Sequence, residues 1–310
     1  MLKLIQNEWM KLWHQKATWA MLLILIAVIV GFGGINKYYS VKETRDWQTI
    51  EKENIASNKQ IITENNMNEA DAAYFQEQIT ISEYRLAHDI APPQDATFAS
   101  FMDFSVNLMT FVTLFAVIVA AGIVSSEFST GTIKMLLTRP VSRTKILTSK
   151  LLLSFLYGLF MLVVNFAVVA IVGLILFGQG AGVQLELVNG VVQEVDVWGD
   201  LFEKAYLSLG NFTISILFAF FIGSVFRSSA LAIGLTMFLS YMGTVIVLLL
   251  SKYSFAKYIW LAHADLTQYQ TGNIMIEGST MTLSLTVLAV YAVIFLVASY
   301  WSFSKRDVTA

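Results

Sequence analysis

The chain has 310 residues, of which 56% are hydrophobic and 14% charged, with a formal net charge of −2. Its mean hydropathy is +0.64. A charged share this far below the quarter typical of soluble domains sets the chain outside that class and predicts an integral membrane protein. It contains no cysteine, which removes disulfides, thiolate nucleophiles and cysteine metal sites.

The first sixteen residues, MLKLIQNEWMKLWHQK, place Leu2, Ile5, Trp9, Leu12 and Trp13 on one helical face at spacings of three and four. Lys3, Lys11 and Lys16 are free to meet lipid phosphates. The pattern predicts an amphipathic helix lying on the inner leaflet, in contact with membrane lipids. A charge-free run at 17–35 follows. It is too long for a signal-peptide core and no A-x-A site follows it, so it reads as a retained span.

Residues 36–103 are a different material, rich in Glu, Asn, Gln, Asp and Lys. The stretch NEADAAYFQEQITISEYRLAHDIAPP predicts a helix with Asn68 as N-cap and Pro92 and Pro93 as the stop. The segment reads as a small helical cap or as a solvated, partly flexible loop. A second apolar run follows at 104–124.

Then comes EFSTGTIKMLLTRPVSRTKILTSK, residues 127–150. Gly131 breaks the preceding helix, and Thr132–Leu137 can form a short one. Pro140 ends it, and Ser142 suits the N-cap of the next long helix. The result is a compact knob with Lys134, Arg139, Arg143 and Lys145 at its tip and Glu127 at its root. Such a knob can receive a partner or a force; an ordinary positively charged loop is the plainer alternative.

Further apolar runs occupy 151–177, 207–226, 228–251 and 282–304. Between them, 178–206 alternates around Asn189-Gly190, a hairpin signal. Residues 252–281 carry Tyr253, Phe255, Tyr258, Trp260 and Tyr269, which predicts a helix at the outer interface or dipping partly in. A short tail, 305–310, ends the chain. Each of the six runs is long enough to cross about 30 Å of hydrocarbon. Leu, Ile, Val and Phe come in continuous runs rather than alternating, so the predicted fold is all-α with six transmembrane helices.

Charge sets the orientation. With the N-terminus inside, the inner segments hold eleven Lys/Arg and three acids, whereas the short outer loops hold only Lys204, Lys252 and Lys257. Both termini and residues 125–150 are therefore expected in the cytoplasm.

The pattern E-x3-GTIKxLLxxP-x-SRxxIxxxK at Glu127–Lys150, with NEWMKLW at 7–13, resembles the permeases of ABC-2 type transporters. The long first outer loop resembles a subgroup from Gram-positive bacteria, some of them linked to peptide-antibiotic resistance or immunity. The resemblance implies a bacterial plasma-membrane subunit working with a second permease chain and separate ATP-binding cassette ATPase subunits. It implies that residues 1–16 are a connecting helix, carrying Trp9 and Trp13. It also implies that Glu127, Gly131, Thr132, Lys134, Pro140, Ser142 and Arg143 lie in or support a cytoplasmic coupling helix docked on the ATPase. The implied pathway runs between two permeases along spans two and five, where Asn107, Thr113, Thr236 and Tyr241 are the polar candidates. ATP and magnesium would be bound by the partner ATPase, and this chain would hold no cofactor and no metal.

The residues themselves fit that division of labour. No GxxxxGK[ST] occurs, so no P-loop is present, and HExxH and GxSxG are missing too. No nucleic-acid partner is expected. Charged residues are nearly absent from the spans, with Asp103 and Arg227 at the edges, which speaks against an ion-driven carrier. His14, His88 and His263 fall on different segments, so a shared metal site is not expected. Asn107, Asn165, Asn211 and Thr213 read as helix-packing groups or as pathway lining. The expected function is export of a hydrophobic or amphipathic substrate, lipid-like or a peptide antibiotic, with no catalytic site in this chain. The alternatives are a stand-alone secondary carrier and a membrane sensor or scaffold that binds a peptide through 36–103.

Overall fold

A computed structural model describes residues 1–40, 46–64, 69–92, 97–132, 141–178, 183–188, 190–194 and 196–305. The protein is nearly all-α. Its helices are α1 (Leu2–Trp13), α2 (Lys16–Ser40), α3 (Trp47–Glu64), α4 (Glu69–His88), α5 (Phe98–Asn107), α6 (Met109–Ser129) and α7 (Arg143–Phe177). After a hairpin of β1 (Leu185–Val188) and β2 (Val191–Glu194) come α8 (Val197–Phe226), α9 (Ser229–Leu250), α10 (Gln268–Thr271) and α11 (Met281–Lys305). Six segments are long and apolar enough to cross a membrane: Lys16–Tyr39, Phe98–Ser129, Arg143–Phe177, Val197–Phe226, Ser229–Leu250 and Met281–Lys305. In lipid each such helix satisfies its own backbone.

The chain divides into two compact units. The first comprises Met1–Ala27, Ser105–Ala167 and Glu203–Ala310. Its core is built on α6 and α8, the most buried of the six spans. At Gly223 of α8 a Cβ would stand 2.6 Å from the Ala121 carbonyl oxygen of α6, so the two backbones meet where only glycine fits. Gly158 of α7 plays a similar part, lying under the Phe212 ring. The turn between α5 and α6 at Leu108 is clamped from α7, where the buried Asn165 amide donates to the Ser105 carbonyl at 2.8 Å. Asn165 is thus a packing group at a helix break.

Arg227 turns the chain from α8 into α9 with φ at 56° and lays its guanidinium over the Phe128 ring. Ser228 then caps α9 by accepting the Leu231 N–H. Residues 252–277 do not form the single interfacial helix the aromatics predict. They make two 3-10 turns, Ser254–Tyr258 and Trp260–Ala262, and the single turn α10. A buried polar chain replaces the helix. The Lys257 carbonyl can only accept, so Nε2 of the fully buried His263 donates to it at 2.8 Å. Nδ1 then accepts a hydrogen bond from the Ser284 hydroxyl at 2.6 Å, and Tyr269 donates to the same Ser284 oxygen. This chain fastens the segment to the start of α11.

The second unit comprises Val28–Phe104 and Val168–Phe202. Aromatic rings fill its apolar end: Phe32 stacks on Phe104 at 3.7 Å, and Phe101 meets Phe177 at 5.3 Å. Its polar end is the helix pair α3 and α4, packed on each other, with β1 against α4. Two packed helices, not a loop without structure, therefore occupy the described part of 46–92. The helix α4 stops at His88 because Asp89 takes φ 53° and the Ile90 N–H closes on the Arg85 carbonyl, ahead of the prolines. The hairpin forms where its sequence predicts, with Gly190 at φ 79° and Val188 opposite Val191.

Candidate functional site

The sequence motif at 127–150 begins at the end of α6 and finishes two turns inside α7. Residues 133–140 lie outside the described residues, and with them Lys134, Pro140 and the short helix expected over Thr132–Leu137. The two roots of the segment are well defined. The helix α6 stops at Ser129, and Gly131 follows with φ 72°, a conformation that glycine adopts without strain. At the other root Ser142 stands just before α7 and its carbonyl accepts the Ile146 N–H. Its hydroxyl pairs with that of Thr144 at 3.3 Å.

Between these roots sits a cluster of charge contributed by three helices. Lys150 of α7 is 1% exposed; its ammonium donates to Glu8 of α1 at 2.9 Å and to Glu127 of α6 at 3.1 Å. Glu127 is 2% exposed and also accepts from Lys11 of α1 at 2.5 Å. The Thr132 hydroxyl donates to the second Glu127 oxygen, so the carboxylate reaches past the helix end and holds the chain beyond it. Two carboxylates and two ammoniums make the cluster neutral. A buried ion set like this repays its desolvation only when each charge is paired, and removing one partner costs about 3–5 kcal/mol.

The rest of α1 is positioned by aromatic packing. Trp9 and Trp13 meet Phe160 of α7 edge-on at 6.0 and 5.2 Å, and Trp13 meets Trp19 at 5.2 Å. Two residues of the apolar stripe, Trp9 and Trp13, therefore pack on α7, while Leu2 at its start stays exposed. The elbow into α2 is fixed by Thr18 Oγ1 donating to the Leu12 carbonyl and by Trp19 Nε1 donating to the Trp13 carbonyl. The root of α7 is also tied to the end of α11. Arg143 donates to the Ser304 carbonyl at 3.0 Å, and the Thr148 and Tyr300 hydroxyls lie 2.6 Å apart.

Of the predicted coupling residues, the structure joins Glu127 to Thr132, and sets Gly131 beside them; Ser142 and Arg143 stand at the second root. Trp9 and Trp13 pack edge-on against Phe160 of that second root's helix. Of the predicted pathway residues, Thr113 lies on α6 and Thr236 on α9, two helices that pack on each other. Thr113 and Thr236 are buried and donate to carbonyls of their own helices, Met109 and Ala232. Asn107 and Tyr241 are exposed. Glu8 and Lys150 were missed as partners. A signal existed: Glu8 shares a face with Leu12, and Lys150 shares one with Ile146 and Leu153, all three apolar neighbours being buried. Among the described residues no group of three His, Asp or Glu side chains is arranged to hold a metal ion.

The model of a family described as a protein of unknown function, DUF2705, matches residues 61–309. The chain belongs to the DUF2705 family. The DUF2705 match includes Glu127 and Lys150 and begins after α1. Two proteins of Bacillus subtilis (strain 168) are also similar to this chain. The uncharacterized protein YhcI is 38% identical over 99% of this chain and 99% of its own length. The uncharacterized membrane protein YdbK is 29% identical over 71% of this chain and 87% of its own length. The six apolar helices and the membrane-protein relative together make this DUF2705 chain a multi-pass membrane protein.

Proposed function

We propose that the protein is the membrane subunit of an ATP-driven exporter of a hydrophobic or amphipathic substrate, coupled to a separate ATPase through residues 127–150. The carrying observation is the Lys150 cluster. It joins α1, α6 and α7 at the base of the segment, so a push on the tip moves three helices rather than one loop. Packed elements of this kind shift between discrete arrangements instead of deforming smoothly. The basic tip, with Lys134, Arg139 and Lys145, suits an acidic cleft on a cytoplasmic ATPase. The ATPase binds ATP and magnesium; this chain contributes no catalytic group.

A second permease chain fits the surface of α9. Ser240, Tyr241 and Thr244 are exposed on a helix that otherwise reads as lipid-facing. Hydroxyls in hydrocarbon favour a protein or substrate partner. Both termini lie in the cytoplasm of a bacterial plasma membrane in this reading, as the distribution of Lys and Arg favours.

The test is affinity purification of the tagged chain in mild detergent, followed by ATPase assay of the eluate. Expected are a stoichiometric P-loop protein and substrate-stimulated hydrolysis, lost on deletion of residues 131–140 while the helices stay folded. Retained transport in that deletion, or no ATPase after cross-linking at Lys134 or Lys145, overturns the reading.

A further inference from the structure

Residues 46–92 carry nine Asp/Glu against three Lys/Arg, so the α3–α4 pair has a negative field that draws cations. Between the two helices and β1 lies a cleft of about 450 Å³. Glu51, Asn54 and Asn58 of α3 line one side, and Gln78, Ser82 and Arg85 of α4 the other. This volume is in the range of small-molecule sites, and a few convergent polar groups are what such sites use for orientation.

Glu51 is the unusual member. It is 6% exposed, yet among the described residues its carboxylate forms neither a hydrogen bond nor an ion pair. Arg85 is the nearby charge, but its guanidinium is spent on backbone: it donates to the Ala91 carbonyl at 3.3 Å and to the Val183 carbonyl at 3.2 Å. Burial lowers the Arg85 pKa and the field of Glu51 raises it, so the two are coupled without touching. The Glu51 oxygens are not among the fully enclosed unpartnered polar atoms, so they open onto the cleft, where an arriving cation can reach them. The described residues offer no set of metal ligands here, and one carboxylate among amides suits an organic cation better than a hard metal ion.

We propose that the α3–α4 cleft binds a ligand through an ammonium or guanidinium group seated on Glu51. The amides of Asn54, Asn58 and Gln78 hold polar atoms beside it. Such a group is carried by a basic peptide side chain or by a free polyamine. The site is independent of the coupling reading, because it involves neither the Lys150 cluster nor an ATPase.

The experiment is calorimetric titration of the full chain in lipid nanodiscs with three cationic probes. These are a blocked Gly-Arg-Gly tripeptide, arginine amide and spermidine; a blocked Gly-Glu-Gly tripeptide is the control. At least one cationic probe is expected to bind and the acidic one is not. Glu51→Gln keeps the shape and removes the charge, and is expected to weaken binding at least about tenfold. Asn54→Ala keeps every charge and is expected to weaken it about threefold, which decides the matter if Glu51→Gln folds poorly. Preference for the tripeptide over arginine amide assigns the site to a peptide; preference for spermidine assigns it to a free amine. Both outcomes support the cation site. No binding of any cationic probe at about 10 mM, or equal binding by folded Glu51→Gln, overturns it.

Discussion

Among the described residues two sets of charge are buried, one in each unit, and they are built on opposite rules. At the base of the 127–150 segment, Lys150 touches two carboxylates and Glu127 touches two ammoniums and a hydroxyl. In the α3–α4 cleft, Glu51 and Arg85 feel each other's field but do not pair. The first set is closed and joins three helices; its geometry suits transmission of force. The second is left open; its geometry suits a ligand. Burial alone therefore does not distinguish a structural charge from a receptive one. The partner census does.

The largest expected effect breaks the closed set. Lys150→Met leaves Glu8 and Glu127 buried without their shared cation, and should destabilise the first unit by about 3–5 kcal/mol. Thermal unfolding in detergent, followed by fluorescence, reads it. Adding Glu8→Gln and Glu127→Gln to the same chain should recover much of the loss, because the orphaned charges go with the partner. If Lys150→Met melts like the wild type, the cluster is not closed and the contrast with the cleft disappears.

Arg85→Met comes next. It removes donors to the Ala91 and Val183 carbonyls and leaves Glu51 without a nearby cation. Two lost hydrogen bonds from a charged group predict about 2–4 kcal/mol, felt in the second unit. Hydrogen exchange of α4 and β1 measures it region by region. A loss larger than that of Lys150→Met would mean that the cleft, not the cluster, is the tightly held set.

These two sets differ in how far the sequence reveals them. The spans were legible because an apolar run long enough to cross a bilayer has few other uses. The hairpin was legible from Asn189-Gly190, and Gly131 from its place after a helix. Glu127 was legible through the motif. Lys150 and Glu8 were not, because each looks like an ordinary inner-leaflet charge until α1 is folded back on α7. Their pairing spans 142 residues of sequence, beyond any local pattern. The cleft was less legible still. The sequence predicts α4 but gives no periodic signal for α3, and Glu51 is one acid among nine in that region.

A smaller effect separates the exposed arm of the cluster from its buried centre. Lys11 is half-exposed while its partner Glu127 is buried. Lys11→Ala should cost about 1–2 kcal/mol, since Lys150 and Thr132 still satisfy the carboxylate. Under the coupling reading it should also weaken ATPase stimulation more than it lowers the melting temperature. Equal losses in both would make α1 a plain brace.

The smallest expected effect tests the cleft's own scaffold. Lys59 of α3 and Glu83 of α4 form an ion pair at 3.0 Å, and both side chains are more than half exposed. The pair bridges the same two helices as the cleft, so a contact diagram gives it the same rank as the Lys150 cluster. Its physics differs. Water screens both charges, and ordering two long side chains offsets most of the attraction, which leaves about 0–1 kcal/mol. Lys59→Ala should therefore melt within about 0.5 kcal/mol of the wild type. It should bind the cationic probes as the wild type does or slightly better, having lost a competing positive charge. A large loss would mean that surface charge holds α3 to α4. The unpaired state of Glu51 would then follow from a loosely held helix pair, not from a cleft kept open for a cation.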